Sequence, residues 1–182
     1  VIRGRWGDGP VAFAGVHYTI NEMDGQPKPV QDGGPPILIG GGGKRVLSNA
    51  ARLADIVGIN PNVGAGKIGP EAIASMSAEA TEEKLGWVRA AAGDRFDDIE
   101  ISILKFVTMV TDDRDGTAGQ VGGAMGMDAA TALASPHMLI GSTSEIAETL
   151  HAQRARWQGS HVTVQADALE TFAPIVAELA GS

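Results

Sequence analysis

From Pro36 onward, short aliphatic runs alternate with longer stretches in which apolar residues return every three or four positions. Ile37-Leu38-Ile39 is the first run; it ends in Gly40 to Gly43, and Val46, Leu47, Ala50, Leu53 and Ala54 follow at helical spacing. Ile56-Val57-Gly58-Ile59 predicts a second strand that stops at Asn60-Pro61. Pro70 stands where a first helical turn tolerates it, and Ile73, Met76, Ala80, Leu85, Val88 and Ala92 predict one long amphipathic helix that Gly93 ends. A third strand is predicted from about Ile99 to Val110. Its first part alternates Ile99, Ile101 and Ile103 with Glu100 and Ser102, and its later part is apolar on both faces, as in a covered parallel sheet or barrel. His161 to Gln165 reads as a short fourth strand. Leu169, Phe172, Val176 and Leu179 predict the last helix, which Pro174 should kink or begin.

These are four strand–helix units, the mark of an α/β fold with parallel strands. Between the third and fourth, residues 117–134 read as weakly helical and mobile because Gly119, Gly122, Gly123 and Gly126 each weaken a helix. Ser142-Thr143-Ser144-Glu145 is a capping box, with Ile146, Leu150 and Trp157 on one face of the helix it starts. Residues 1–35 have no helical period, and their glycines and prolines predict a linker or hairpin excursion with a short strand within Phe13 to Ile20. The organisation is therefore an excursion at 1–35 and a strand–helix domain at 36–182.

The 182 residues include 43% hydrophobic and 20% charged positions, within the globular range, and a net charge of -8 that disfavours nucleic acid and anionic membranes. No run approaches the roughly 20 apolar residues of a membrane span. The absence of cysteine removes disulfides, thiolate catalysis and thiolate metal sites, and suits a cytoplasmic enzyme. The first residue is Val1, and the abrupt entry on Arg3-Gly4-Arg5-Trp6 raises the expectation of further residues upstream.

Gly40 to Gly43 sits between a strand and a helix, where bare amides and the helix dipole can hold a phosphate, with Lys44 and Arg45 adding positive charge. A tight structural turn accounts for the same residues equally well. The P-loop spacing is absent. Gly64-x-Gly66-x-x-Gly69 matches a dinucleotide fingerprint in letters only, because the glycines are not at the strand end and no acidic strand terminus follows at the required distance. Asp112-Asp113-Arg114-Asp115-Gly116 lacks the closing glutamate of a calcium loop and reads as a turn or cap. His17, His137, His151 and His161 share no metal or triad spacing, so no metal site is predicted. In parallel barrels chemistry gathers at the carboxyl ends of strands, which puts Asn60, Thr111-Asp112 and Gln165-Ala166-Asp167 on the functional rim, as loop caps or ligand contacts.

Phe13-x-Gly15-x-His17-Tyr18, then Pro35 through Gly43, then Ala54-Asp55-Ile56-Val57-Gly58 resemble the luciferase-like monooxygenase superfamily. Ser135-Pro136-His137 through Phe172-Ala173-Pro174-Ile175-Val176 resembles its branch of bacterial deazaflavin-dependent oxidoreductases. The resemblance implies the second half of a (β/α)8 TIM barrel that binds coenzyme F420, or else FMN, at its carboxyl rim. It carries the cofactor-phosphate contact onto Gly41, Gly42 and Gly43, with Lys44 where relatives have proline, and leaves Asn60, Lys67 and Gln165 as rim or substrate contacts. Catalytic acids and bases in relatives come mostly from the first half, so no catalytic residue is named. The implied partners are a small-molecule substrate, the missing N-terminal half-barrel and further copies of the chain. The competing readings are a non-catalytic half-barrel assembly module and a sugar-phosphate enzyme on the same barrel.

Overall fold

The computed structural model describes residues 1–64, 66 and 69–181, and the chain divides into two compact units, Val1–Ile37 and Leu38–Ser182.

The first unit holds a single helical turn, α1 (Ile2–Arg5), and an antiparallel hairpin of β1 (Val11–Ala14) and β2 (Thr19–Met23). The stretch expected as a short strand is the hairpin's turn, with Phe13 and Ala14 on one strand and Thr19 and Ile20 on the other. Gly15 N–H donates to Tyr18 O at 2.9 Å and closes it. Most apolar side chains of this unit are exposed, including Phe13, Val16 and Tyr18.

The second unit is built on β3 (Leu38–Gly41), β4 (Ile56–Ile59), β5 (Glu100–Leu104) and β8 (Gly159–Thr163), hydrogen-bonded in that order and all parallel. Helices α2 (Lys44–Leu53), α4 (Ala78–Ala92), α7 (Thr143–Trp157) and α8 (Leu169–Leu179) supply the helical layer. This is half of a (β/α)8 barrel. One face of the sheet is sealed by a core of Leu47, Ala50 and Ala51 from α2, Leu85 and Val88 from α4, Trp157 from α7, and Val57, Ile59, Ile101 and Ile103 from the strands. Each large side chain buried there contributes about 1.5–3 kcal/mol. Because strand residues alternate faces, Ile101 and Ile103 toward the helices put Ser102 on the opposite face. A second cluster joins Leu139, Ile146, Leu150, Phe172 and Ile175.

Three expected elements are broken. The predicted third strand splits into β5 and β6 (Val107–Val110), because its partner changes midway. Lys105 N–H donates to Thr163 O beside β8, whereas Phe106 N–H donates to His137 O. Beyond that point β6 pairs in parallel with β7 (Met138–Gly141), a strand the sequence pattern did not reveal. The predicted long helix is α3 (Pro70–Ala74) followed by α4, since Ser75 Oγ bonds back to Ala72 O and Ser77 caps α4 through Ala80 N–H. The region expected to be weakly helical folds as α5 (Arg114–Met125) and α6 (Ala129–Ala134), started by the caps Asp113 and Asp128. Asp113 thus takes the cap role. The capping box of α7 forms as expected, and α8 begins at Leu169, before Pro174.

Candidate functional site

The carboxyl end of β3 runs straight into α2 through Gly42 and Gly43. Gly43 is the N-cap residue, with an extended backbone and no side chain to cap the helix. The first helical bond is Leu47 N–H to Gly43 O at 3.1 Å. The amides of Lys44, Arg45 and Val46 precede that bond and form the orphan donors of a helix start. No acidic residue lies in the first turn, where Lys44 and Arg45 are exposed. At the other end, the Arg95 guanidinium donates to the carbonyls of Ala51 and Ala54. Arg95 thus takes two carbonyls at the carboxyl end of α2, while the first turn at its amino end has no side-chain cap.

The three glycines have different surroundings. A side chain on Gly41, the last residue of β3, would meet Val46 Cγ1 at 2.6 Å. One on Gly42 would strike the Pro61 carbonyl and come within 2.6 Å of Asn62 Cα. One on Gly43 would meet nothing within 4 Å, so the open space of the turn lies over Gly43.

Asn60 is brought to this turn. Its N–H donates to Gly41 O at 3.0 Å, and its Nδ2 lies 2.9 Å from where a Gly40 Cβ would stand. Gln165 follows β8, two strands further along the sheet, and is exposed. Lys67 lies outside the described residues. Thr111 and Asp112 follow β6, not β5, so they leave the rim of the four-stranded sheet. The sheet's own rim at β5 is Leu104 and Lys105.

Sequence reasoning missed a set of buried polar groups behind the rim. Lys84 is 2% exposed and donates from Nζ to Asn60 O at 2.9 Å and Ser75 O at 2.6 Å. Burial lowers its pKa to about 8, partly opposed by the Glu83 carboxylate. Lys105 donates to Pro136 O and Gln153 Oε1, and burial lowers it to about 7. His137 is buried with Nδ1 2.8 Å from Leu104 O, and its pKa falls to about 4, chiefly through burial. On the face away from the helices, Ser102 Oγ lies 3.0 Å from His161 Nδ1. The only signal in the sequence was Ser102 itself, a polar position between two isoleucines.

The segments after β4 and β6, with α3, α5 and α6, line a half-open pocket of about 420 Å³ whose walls include Ile73, Met76, Met125, Met127, Thr131 and Ser135. Among the described residues that line it, none is charged. Its wall at Met76 adjoins Ser75, whose carbonyl Lys84 holds.

The family model described as luciferase-like monooxygenase matches residues 1–181. No curated protein matches the chain. Among solved structures, the chain resembles the coenzyme F420 dependent tetrahydromethanopterin reductase of Methanopyrus kandleri, at 15% identity and a TM-score of 0.68, over 98% of this chain and 59% of that one. It also resembles the monooxygenase RslO1 of Streptomyces bottropensis, at 19% identity and a TM-score of 0.60, covering 97% and 58% respectively. A riboflavin lyase solved with modified FMN matches at 14% identity and a TM-score of 0.59, covering 93% and 48%. The chain thus spans about half to three-fifths of the length of these structures. Among the described residues no helix is long and apolar enough to cross a membrane.

Proposed function

Since the chain belongs to the luciferase-like monooxygenase family, we propose that it is the phosphate-holding half of a flavin- or deazaflavin-dependent oxidoreductase, with the cofactor phosphate at the β3–α2 turn. The observation that carries this is the amino end of α2: capped by a bare glycine, free of acids, flanked by Lys44 and Arg45, and open above Gly43. Coenzyme F420 is the first choice and FMN the second, since both carry a phosphate ester beyond the ring and solved relatives are named for each.

The residues of this chain bind and orient. The first-turn amides of α2 donate to the phosphate while Lys44 and Arg45 offset its charge. Gly42 lets the Pro61–Asn62 backbone pack against the turn, where any side chain would collide. When bound, a reduced flavin or deazaflavin supplies the hydride or oxygen chemistry. Asn60, Lys67 and Gln165 are proposed as rim contacts, and the methionine-lined pocket as the place for an apolar part of a small-molecule substrate. Residues completing the reaction come from the strands that close the barrel, supplied by an N-terminal half or a further chain. The setting is proposed to be cytoplasmic.

Gly43→Asp tests the site. The new carboxylate finds open space and can cap α2, which should raise stability by a few tenths of a kcal/mol, since glycine is itself a tolerated N-cap. The same charge would sit where the phosphate binds, so titration with F420 and with FMN should show affinity lost by about tenfold or more. Unchanged affinity in a folded variant sinks the assignment. A colourless oligomer whose wild-type form responds to neither cofactor would favour the assembly module instead.

A further inference from the structure

We propose that Lys84 is a positioning residue for the glycine turn: from within α4 it pins the segment Asn60 to Asn62, which walls the turn, and so sets the direction of the first-turn amides of α2. The inference rests on the phosphate reading above and adds to it the device that holds the cradle in shape.

That segment is gripped from two sides. Toward β3, Asn60 N–H donates to Gly41 O, the Asn60 amide covers Gly40, and the Pro61–Asn62 backbone occupies the space over Gly42. Behind it, Lys84 Nζ holds Asn60 O, the carbonyl at the end of β4, together with Ser75 O at the corner between α3 and α4. Ser75 completes the clamp. Its Oγ accepts Asn62 N–H at 2.6 Å and donates to Ala72 O at 2.7 Å. Asn62 Nδ2 also reaches Glu71 Oε1 at 3.3 Å. A single ammonium therefore ties two loops nine and twenty-four residues upstream of it to the middle of a helix.

Packing alone does not call for a lysine here. Leu85 and Val88 already anchor α4 to the sheet, and a methionine at position 84 would fill similar volume without a desolvated charge. What methionine cannot do is donate to two carbonyls at once. Removing the donors would leave Asn60 O and Ser75 O, both on half-buried residues, without this ammonium and release the wall, so the glycine turn would lose the surface it packs on. Lys105 is a matched control. It is equally buried and also donates to two acceptors, but its partners Pro136 and Gln153 do not touch the glycine turn.

The test uses the full chain with Lys84→Met, Ser75→Ala and Lys105→Met. Two quantities are read: amide hydrogen exchange at Gly42–Val46 and Asn62 without cofactor, and the Kd for F420 and FMN. Lys84→Met should speed exchange at those amides and weaken the cofactor by about tenfold or more, and Ser75→Ala should shift both in the same direction by less. Lys105→Met should lower thermal stability while leaving exchange at the turn and cofactor Kd unchanged. Because the chain has no other cysteine, Lys84→Cys can be aminoethylated while unfolded and then refolded, and this thioether analogue of lysine should restore both quantities. Wild-type exchange in folded Lys84→Met and Ser75→Ala, or equal losses in Lys105→Met, would overturn the clamp. If wild type binds neither cofactor, the phosphate reading fails, while the exchange arm still decides whether Lys84 shapes the turn.

Discussion

The ring of His137 shows how burial and one carbonyl can settle where a proton sits. Nδ1 faces Leu104 O, an acceptor, so Nδ1 carries the hydrogen and Nε2 is left as a buried lone pair with no partner among the described residues. A second proton would place a cation in the interior beside Lys84 and Lys105, whose charges lower the pKa further. The unfolded chain has no such penalty and takes up this proton near pH 6.5. Between pH 6.5 and about 4 the unfolded state therefore binds more protons than the folded one, and stability should fall by up to about 3 kcal/mol as pH drops through that window. Urea unfolding midpoints across that range would read the slope, and His137→Gln should flatten it. A slope unchanged in the variant would remove His137 from the account. Lys105, lowered to about 7, acts with the same sign in a higher window: stability gains as pH rises from about 7 toward the lysine range of the unfolded chain. At this scale the glycines were legible in the sequence, since a run of four between strand and helix has few uses. Lys84, Lys105 and His137 were not. Their burial depends on residues 9 to 48 positions away, and nothing in a one-dimensional pattern separates a buried lysine from a solvated one.

Among the elements, α5 tests how far composition predicts a helix. Gly119 and Gly123 are exposed, and a side chain on either would meet nothing within 4 Å. Gly119→Ala and Gly123→Ala should each stabilise the protein by about 0.5–1 kcal/mol, by lowering the entropy lost on folding. Gly122 is different, because its Cβ would lie 2.8 Å from Met127 O, where the chain turns back after Gly126. Gly122→Ala should cost about 1–3 kcal/mol. Thermal unfolding of the three variants checks the ordering, and equal effects would show that the turn has room to relax. The glycines weaken α5 as the sequence suggests, but the Asp113 cap and the burial of Ala118 and Gly122 outweigh them. Element identity was largely readable for β4, α2 and the capped start of α7, where hydrophobic period and cap agree. It failed where tertiary pairing decides. Residues 99–110 carry strand character throughout, and only the switch of partner at Lys105–Phe106 divides them. Met138-Leu139-Ile140 is too short a run to stand out beside the helix it precedes. The corner at Ser75–Ser77 interrupts an unbroken helical period, because side-chain oxygens there bond the backbone instead.

For the whole molecule, the consequence lies at the two edges of the four-stranded sheet. Among the described residues β3 pairs only with β4, and β8 only with β5. Neither edge strand carries a charge or a proline, the usual guards against unwanted pairing, and Leu38 on β3 is 46% exposed. A (β/α)8 barrel removes such edges by closing on itself, which takes four more strands than this sheet has. Unless those strands are supplied, the two edges offer templates for one another. Sedimentation of the chain by itself should therefore show a mass of at least two copies, growing with concentration. Leu38→Lys should shift it toward the monomer without unfolding, since that side chain lies outside the buried core. Adding strands that complete the barrel should do the same and, on the proposed phosphate reading, should also raise cofactor affinity, because the β3–α2 turn would hold only one end of such a ligand. A wild-type chain that stays monomeric at every concentration would show that these edges are already protected. The proposed dependence of the site on closing the barrel would then lose its physical basis.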